Sequence, residues 1–507
     1  MGRLHLIEQV RVLDAHGAAR VMDVLIDGDR FAGLAPRIDL STVRLDARTD
    51  GRGKLMIPGL VNAHHHSHDR FDKGRFSGLP LEIWMGRYQP PTHCRGWTPR
   101  EVHLRTLLNG IEMLRNGITT VVDDIHFGTR LDPEVVQAAF DAYALLGMRA
   151  DVGVAWCDRP YQDGIPYLAE RLPDALKGAV PPGAAEAVLE CWQELARRWN
   201  GRVRFVFSPS GPQRCSAAFL QKTWELAERH ARPVLIHLLE TRIQKLTAAK
   251  CHGISMTEYL DRLGLLTTRS VLAHGVWLGA AELDLIAARG ASVIHNPACN
   301  MKLGSGLAPV AEMLRRGIAV GLGTDNNNGN DLNSMFDAMR LAAFSGALLD
   351  TSPASPVDAR QAFAMATAGG ARVLGLDDRI GAIAIGKQAD FCLVDLGTSA
   401  FMPLNDLPTQ LVFCESGTSV RDVYVAGLKL VDHGRITCLD EAELLREIAE
   451  RMPTLQGRID DGRRAAERLR PYLEQAYDDC LRDPLMHDAG RAINGFTVSN
   501  KTPPANL

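Results

Sequence analysis

Short apolar runs and longer amphipathic stretches take turns along most of the chain, and that alternation predicts its fold. Eight runs stand out as candidate strands: GLVNAHHH, TTVVDDI, RADVGVAW, VRFVFSPS, PVLIHLLE, SVLAHG, ASVIHNP and AVGLGTD. Between them lie segments such as EVHLRTLLNGIEMLRNG at 101–117, whose apolar positions recur three and four apart, the spacing of a helix with one buried face. Eight strands alternating with helices predict an α/β fold of the (β/α)₈ TIM-barrel type, with an open doubly wound sheet as the competing arrangement.

The two ends have a different texture. Residues 1–58 alternate apolar and polar positions around glycine turns, as in VMDVLIDGDRF, where Asp27-Gly28 marks a hairpin. The same pattern returns in KQADFCLVDL at 387–396 and VRDVYVAGLKLVDHGRI at 420–436. We therefore expect one small flanking β-sandwich domain built from both ends, 1–58 with 377–440, around a barrel over 59–376. Beyond it, Asp440 and Glu443 form a capping-box-like start, and Leu444, Ile448, Met452 and Leu455 follow at near-helical spacing. Residues 441–507 are thus predicted to form a C-terminal helical extension that ends in the polar tail SNKTPPANL and serves as an oligomer contact or a pocket lid.

Composition narrows the class. The chain has 507 residues, 46% hydrophobic and 23% charged, with a formal net charge of -3. That balance and the lack of a basic stripe exclude a nucleic-acid binder. Nowhere do about 18 apolar residues run together, and the start MGRLHLIEQVRVLD has no apolar leader core. The expectation is a soluble, cytoplasmic protein with no membrane partner. Its ten cysteines, scattered from Cys94 to Cys480 without a CxxC pair, read as reduced thiols.

Candidate chemistry concentrates at strand ends. In a strand, residues i and i+2 point the same way, so His64 and His66, or His66 and His68, can aim two imidazoles at one point. The strand-end position favours the earlier pair. His237 ends VLIH, His274 ends VLAH, His295 ends SVIH and Asp325 ends VGLGTD, so in a closed barrel all would emerge at one rim. Converging imidazoles with a carboxylate suit one borderline divalent ion, Zn²⁺ or Fe²⁺, rather than oxygen-preferring Ca²⁺ or Mg²⁺.

PGLVNAHHH, EMLRNGITTVVDD, IHLLE, LAHGVWL, HNPACNMKLGSGLAP, GLGTDNNNGND, ATAGGARVLG and IGAIAIGKQADFCLVD occur in this order over roughly residues 20–436. This series resembles the metal-dependent amidohydrolases, especially the branch with cytosine, guanine and adenosine-type deaminases and s-triazine hydrolases. The resemblance implies a (β/α)₈ barrel with a β-sandwich and a homodimer or homotetramer. It places the metal ligands on His64, His66, His237 and Asp325. Glu240, in the HxxE of that branch, is implied as the proton shuttle, His274 as the residue that steadies the oxyanion, and Asp325 as a second proton acceptor. His295, in the HNP motif, would shape the pocket; His65 and His68 have no counterpart among the ligands. Binuclear members carry a modified lysine after the fourth strand, and VRFVFSPSGP has none, which implies one metal per chain.

The implied reaction is attack of metal-bound hydroxide on a ring carbon bearing an amino group, in a small heterocycle of pyrimidine, purine, pterin or triazine type. The same machinery would serve another C–N or a C–Cl bond, and a non-catalytic binding relative is the remaining alternative. For substrate contacts the resemblance nominates Trp84, Asn326 and Asn328, and Gln213 is added because its amide offers both a donor and an acceptor to the edge of a nitrogen heterocycle. In SPSGPQRCS, Ser210 and Gln213 replace a histidine and a tyrosine of the family wording, a departure that argues against a nucleoside-type substrate.

Overall fold

The computed structural model describes residues 3–13, 17–39, 44–128, 131–352 and 357–487; the tail SNKTPPANL lies outside them. From the N-terminus, strands β1 (Leu4–Leu13), β2 (Ala19–Asp27), β3 (Arg30–Ala35), β4 (Ala47–Asp50) and β5 (Lys54–Pro58) precede the barrel strands. Those are β6 (Leu60–His66), β7 (Ile118–Ile125), β8 (Arg149–Val154), β9 (Val203–Val206), β10 (Val234–Leu238), β11 (Ser270–His274), β12 (Ser292–His295), β13 (Val320–Leu322) and β14 (Asp325–Asn326). All eight predicted runs are present, the last one divided between β13 and β14.

Parallel pairing runs β6-β7-β8-β9 and β10-β11-β12-β13. Two links join these halves. The bridge between Phe207 and Val234 couples the end of β9 to β10, and β14 pairs with β6 through Asp325 beside His65 and Asn326 beside His66. The ring closes, so the open sheet is excluded. Inside it, Val61, Ala63, Val122, Val206, Leu235, Val271, Ala273 and Ile294 form one apolar cluster, the filled interior that makes such a barrel a core rather than a pore. The polar groups are left to the strand ends.

The chain ends supply β15 (Phe391–Asp395), β16 (Val420–Val425), β17 (Leu428–Asp432) and β18 (Arg435–Ile436). Hydrogen bonding is continuous in the order β18-β17-β16-β15-β5-β1-β2-β3, with β4 on β1. Phe31 of β3 and Phe391 of β15 sit with ring centroids 5.8 Å apart, although four strand steps would separate them by about 19 Å in a flat sheet. The sheet therefore folds over its own core, and the two layers of the sandwich are one hydrogen-bonded sheet. A buried Arg149–Asp390 pair, 3.0 Å, ties it to the barrel.

Three helices matter for the site: α1 (Leu81–Tyr88), α2 (Arg242–His252) and α3 (Glu441–Arg482). Asp440 caps α3 by accepting from the Ala442 and Glu443 backbone N–H groups. This helix spans 42 residues, about 63 Å. Its buried positions, Leu444, Ile448, Leu455, Ile459, Gly462, Ala466, Leu469, Leu473, Ala476 and Cys480, recur three, four or seven apart along its whole length. That stripe packs within the chain, against α1 among others, and Arg87–Glu467 and Lys250–Asp483 ion pairs flank it. No helix among the described residues is long and apolar enough to cross a membrane.

Candidate metal centre and catalytic cleft

Four backbone irregularities assemble the site. In β6, Val61 and Ala63 belong to the barrel interior, and strict alternation would send His64 and His66 the other way. The register between β6 and β7 shifts between Asn62 and His65, and beyond that shift the even-numbered histidines take the inner side, the re-aiming a bulge produces. Ala273 and His274 are consecutive, yet both face inward; His274 has φ 77°. Asp325 has φ 60° and Leu239, just before Glu240, φ 49°. Left-handed backbone at residues other than glycine costs about 1–2 kcal/mol each and clusters where function demands it.

The donor atoms meet. His66 Nε2 lies 3.3 Å from Asp325 Oδ1 and 3.4 Å from His237 Nε2, and His64 Nε2 lies 3.6 Å from Asp325 Oδ1. A tetrahedral ion with ligands at about 2.1 Å needs donors about 3.4 Å apart, so the spacing fits a divalent cation. The second partners of the rings fix their tautomers. His237 Nδ1–H donates to the Ser210 carbonyl at 2.7 Å and His66 Nδ1–H to the Asp124 carbonyl at 2.5 Å, which leaves each Nε2 to face the centre. His64 is fully buried with neither ring nitrogen hydrogen-bonded, a costly arrangement that a metal bond would satisfy. His65 points away, with Nδ1 3.0 Å from the Asp325 carbonyl.

Electrostatics divide the groups. Burial alone would lower His66, but the hydrogen bond and charge of Asp325, with Asp124 behind, raise it to about 10. Burial and the neighbouring His274 and His66 push His237 down to about 3. Burial would raise Asp325, but the His66 hydrogen bond and the charges of His274 and His64 hold it well below the usual carboxylate range. Burial, reinforced by Asp325 and Glu82, pushes Glu240 well above it. Proton and cation thus compete for His66 Nε2. Below about pH 10, zinc binding should release one proton there and its Kd should fall about tenfold per pH unit; chelator competition at about pH 6 and 8 measures this, and a pH-independent Kd would contradict it.

Glu240 and His274 stand beside the donor set, with His274 Nε2 3.6 Å from Glu240 Oε2 and from Asp325 Oδ2. The Asn300 side-chain oxygen accepts from His274 Nδ1 at 2.9 Å. Above them opens a cleft enclosing about 840 Å³, its mouth included. Trp84, Gln213 and Asn326 line it as expected. His295 and Asn328 are buried outside its lining: His295 sits at the end of β12, and the Asn328 backbone N–H donates to Asp69 at 2.8 Å. Those two nominations are not brought to the cleft.

His68, from the later of the two HxH pairs, also lines it, as do Tyr88, His126, Tyr161 and Arg214, to which no motif pointed. Among the latter, only Tyr88 had a usable signal, because it lies one helical turn after Trp84 and stacks on it at 5.4 Å. A neighbouring cavity of about 1230 Å³, its opening to solvent included, shares Tyr88, His126, Tyr161 and Arg214 with the cleft.

A closed (β/α)₈ barrel that pools three imidazoles and a carboxylate at its strand ends, beside a buried glutamate, defines a metal-dependent hydrolase. The amidohydrolase family profile matches residues 55–430, and the chain belongs to that family. It is 34% identical over 445 residues to 5'-deoxyadenosine deaminase of Methanothermobacter thermautotrophicus, covering 88% of this chain and 97% of that one. It is 31% identical to 5-methylthioadenosine/S-adenosylhomocysteine deaminase of Thermococcus onnurineus, covering 81% and 89%. The crystal structure of an adenosine deaminase from Xanthomonas campestris with bound zinc superposes with a TM-score of 0.78 at 29% identity, covering 89% and 98%. Atrazine chlorohydrolase from Arthrobacter aurescens, with zinc, shares the fold at TM-score 0.76 and 23% identity, covering 90% and 100%.

Proposed function

We propose that the protein is an aminohydrolase that replaces the exocyclic amino group of a purine-type heterocycle by oxygen, consuming water and releasing ammonia. One observation carries this reading: a buried glutamate of raised proton affinity, Glu240, stands at the cleft floor next to an ionised carboxylate, Asp325, within a metal-donor set. Two carboxyl groups whose environments drive their proton affinities apart are suited to opposite roles.

His64, His66, His237 and Asp325 would hold the ion. When bound, a divalent cation lowers the pKa of a coordinated water from about 15.7 to about 7. Glu240 carries the proton chemistry: its carboxyl delivers a proton to the ring nitrogen, takes one from the attacking water, and passes it to the departing amino group. His274, its Nδ1–H held by the Asn300 oxygen, turns Nε2 toward both Glu240 and Asp325, and once Nε2 also takes up a proton it donates to the oxygen that becomes negative. Trp84 offers a flat apolar face to a planar ring, and the Gln213 amide both donates and accepts along its edge.

The deaminase names of the relatives favour an adenine ring, and the adjoining cavity leaves room for a substituent. Ser210 and Gln213, where the family wording has histidine and tyrosine, make the polar lining of the cleft this chain's own. Ammonia release by the zinc-replete protein should be measured with adenine nucleosides, guanine, pterins, pyrimidines and triazines. Turnover is expected with the adenine compounds; complete inertness across the panel would overturn the reading.

A further inference from the structure

Glu82 is a buried carboxyl that the reaction above does not use. It lies on α1, 5% exposed, in the same short helix whose Leu81, Trp84, Met85 and Tyr88 wall the cleft. Its Oε1 accepts a hydrogen bond from the Thr241 hydroxyl, and Thr241 directly follows Glu240. The same Thr241 oxygen accepts from the Gln244 backbone N–H at 3.3 Å and so caps α2, while the Gln244 side chain accepts from the Glu240 backbone N–H at 2.9 Å. The turn that presents Glu240 is therefore held at consecutive residues, and it needs holding because Leu239 before it is left-handed. On the other side of α1, the Tyr161 hydroxyl donates to the Glu82 carbonyl at 2.9 Å. Tyr477 and Cys480 of α3 sit close enough that Glu82 adds its charge to burial in raising both.

We propose that Glu82 is a positioning residue for Glu240: through the Thr241 hydroxyl it locks the turn carrying the catalytic carboxyl to the helix that walls the substrate cleft. This rests on the role given to Glu240 above. Neither Glu82 nor Thr241 lines the cleft, so the effect belongs in kcat. A displacement of about 1 Å in a catalytic group costs about a hundredfold in rate.

The test uses the full-length, zinc-loaded protein and adenine-nucleoside turnover, and admits variants that keep one zinc per chain. Glu82→Ala and Thr241→Val are each expected to lower kcat between about tenfold and a hundredfold with KM within about twofold. Glu82→Gln and Thr241→Ser, which keep the hydrogen bond, should restore most of kcat. The double variant should be no slower than the slower single one, because both break one link. Unchanged kcat in either folded disrupting variant, a loss confined to KM, failure of the conservative variants to recover, or multiplying effects would each overturn the proposal. Thr241→Val carries the test if Glu82→Ala does not fold. Glu240→Gln run alongside separates the two ideas: full activity there sinks the mechanism itself, whereas an inactive Glu240→Gln beside a fully active Glu82→Ala sinks only this inference.

Discussion

Glu240→Gln should lower kcat about a thousandfold while the protein keeps one zinc per chain and a nearly unchanged KM. General acid–base groups contribute about 10²–10⁴ in rate, and the loss expected for the proposed proton carrier lies at the middle of that range. Glutamine keeps the shape and removes the exchangeable proton. The buried site favours a neutral side chain at this position, since burial with Asp325 and Glu82 nearby already pushes Glu240 toward its protonated form. The fold should therefore tolerate the change. Steady-state kinetics, metal analysis and thermal unfolding measure the three quantities; a variant that retains more than about a tenth of kcat would remove Glu240 from the proton path.

Loss of the metal should be as damaging and should also be visible in stability. His237→Ala removes one of four donors, and the variant is expected to carry well under one zinc per chain and to show no measurable turnover. Stripping the wild-type protein with a chelator should abolish activity, and Zn²⁺ should restore it. The stripped protein should unfold at lower temperature, because His64 and Asp325 are buried and their nitrogen and oxygen atoms lose their common partner. Zinc at a thousand times its Kd stabilises the folded state by about 4 kcal/mol. Calorimetry with and without zinc reads this directly. Undiminished turnover in a fully stripped protein would refute a metal role for the four residues.

Much of this architecture could be read from spacing alone. The eight barrel strands lie where short apolar runs predict them, because a strand buried on both faces needs a run of apolar residues and announces itself. The composite sheet was legible from the matching alternation at the two ends. His237, His274 and Asp325 were legible because each closes an apolar run, and the rim of a closed barrel gathers strand ends. His295 also closes such a run and yet stays out of the cleft lining, so the rule selects candidates without ranking them. Glu82 was hidden, since a lone glutamate in GLPLEIWM resembles any helical surface residue; its burial comes from α1 being enclosed by α3 and the turn after β10.

The sequence by itself determined which side chains were available: four candidate metal donors, a glutamate three residues after His237, and the periodicities that make a barrel with an added helix. Tertiary structure alone decided where they point. Alternation along β6 would have turned His64 and His66 away from the barrel interior, and alternation along β11 would have done the same to His274. A register shift and left-handed residues reverse both, because closure of the ring fixes the backbone more strongly than local preference does. Long-range pairing of β14 with β6 then delivers Asp325 to histidines about 260 positions earlier, a proximity that no local pattern encodes.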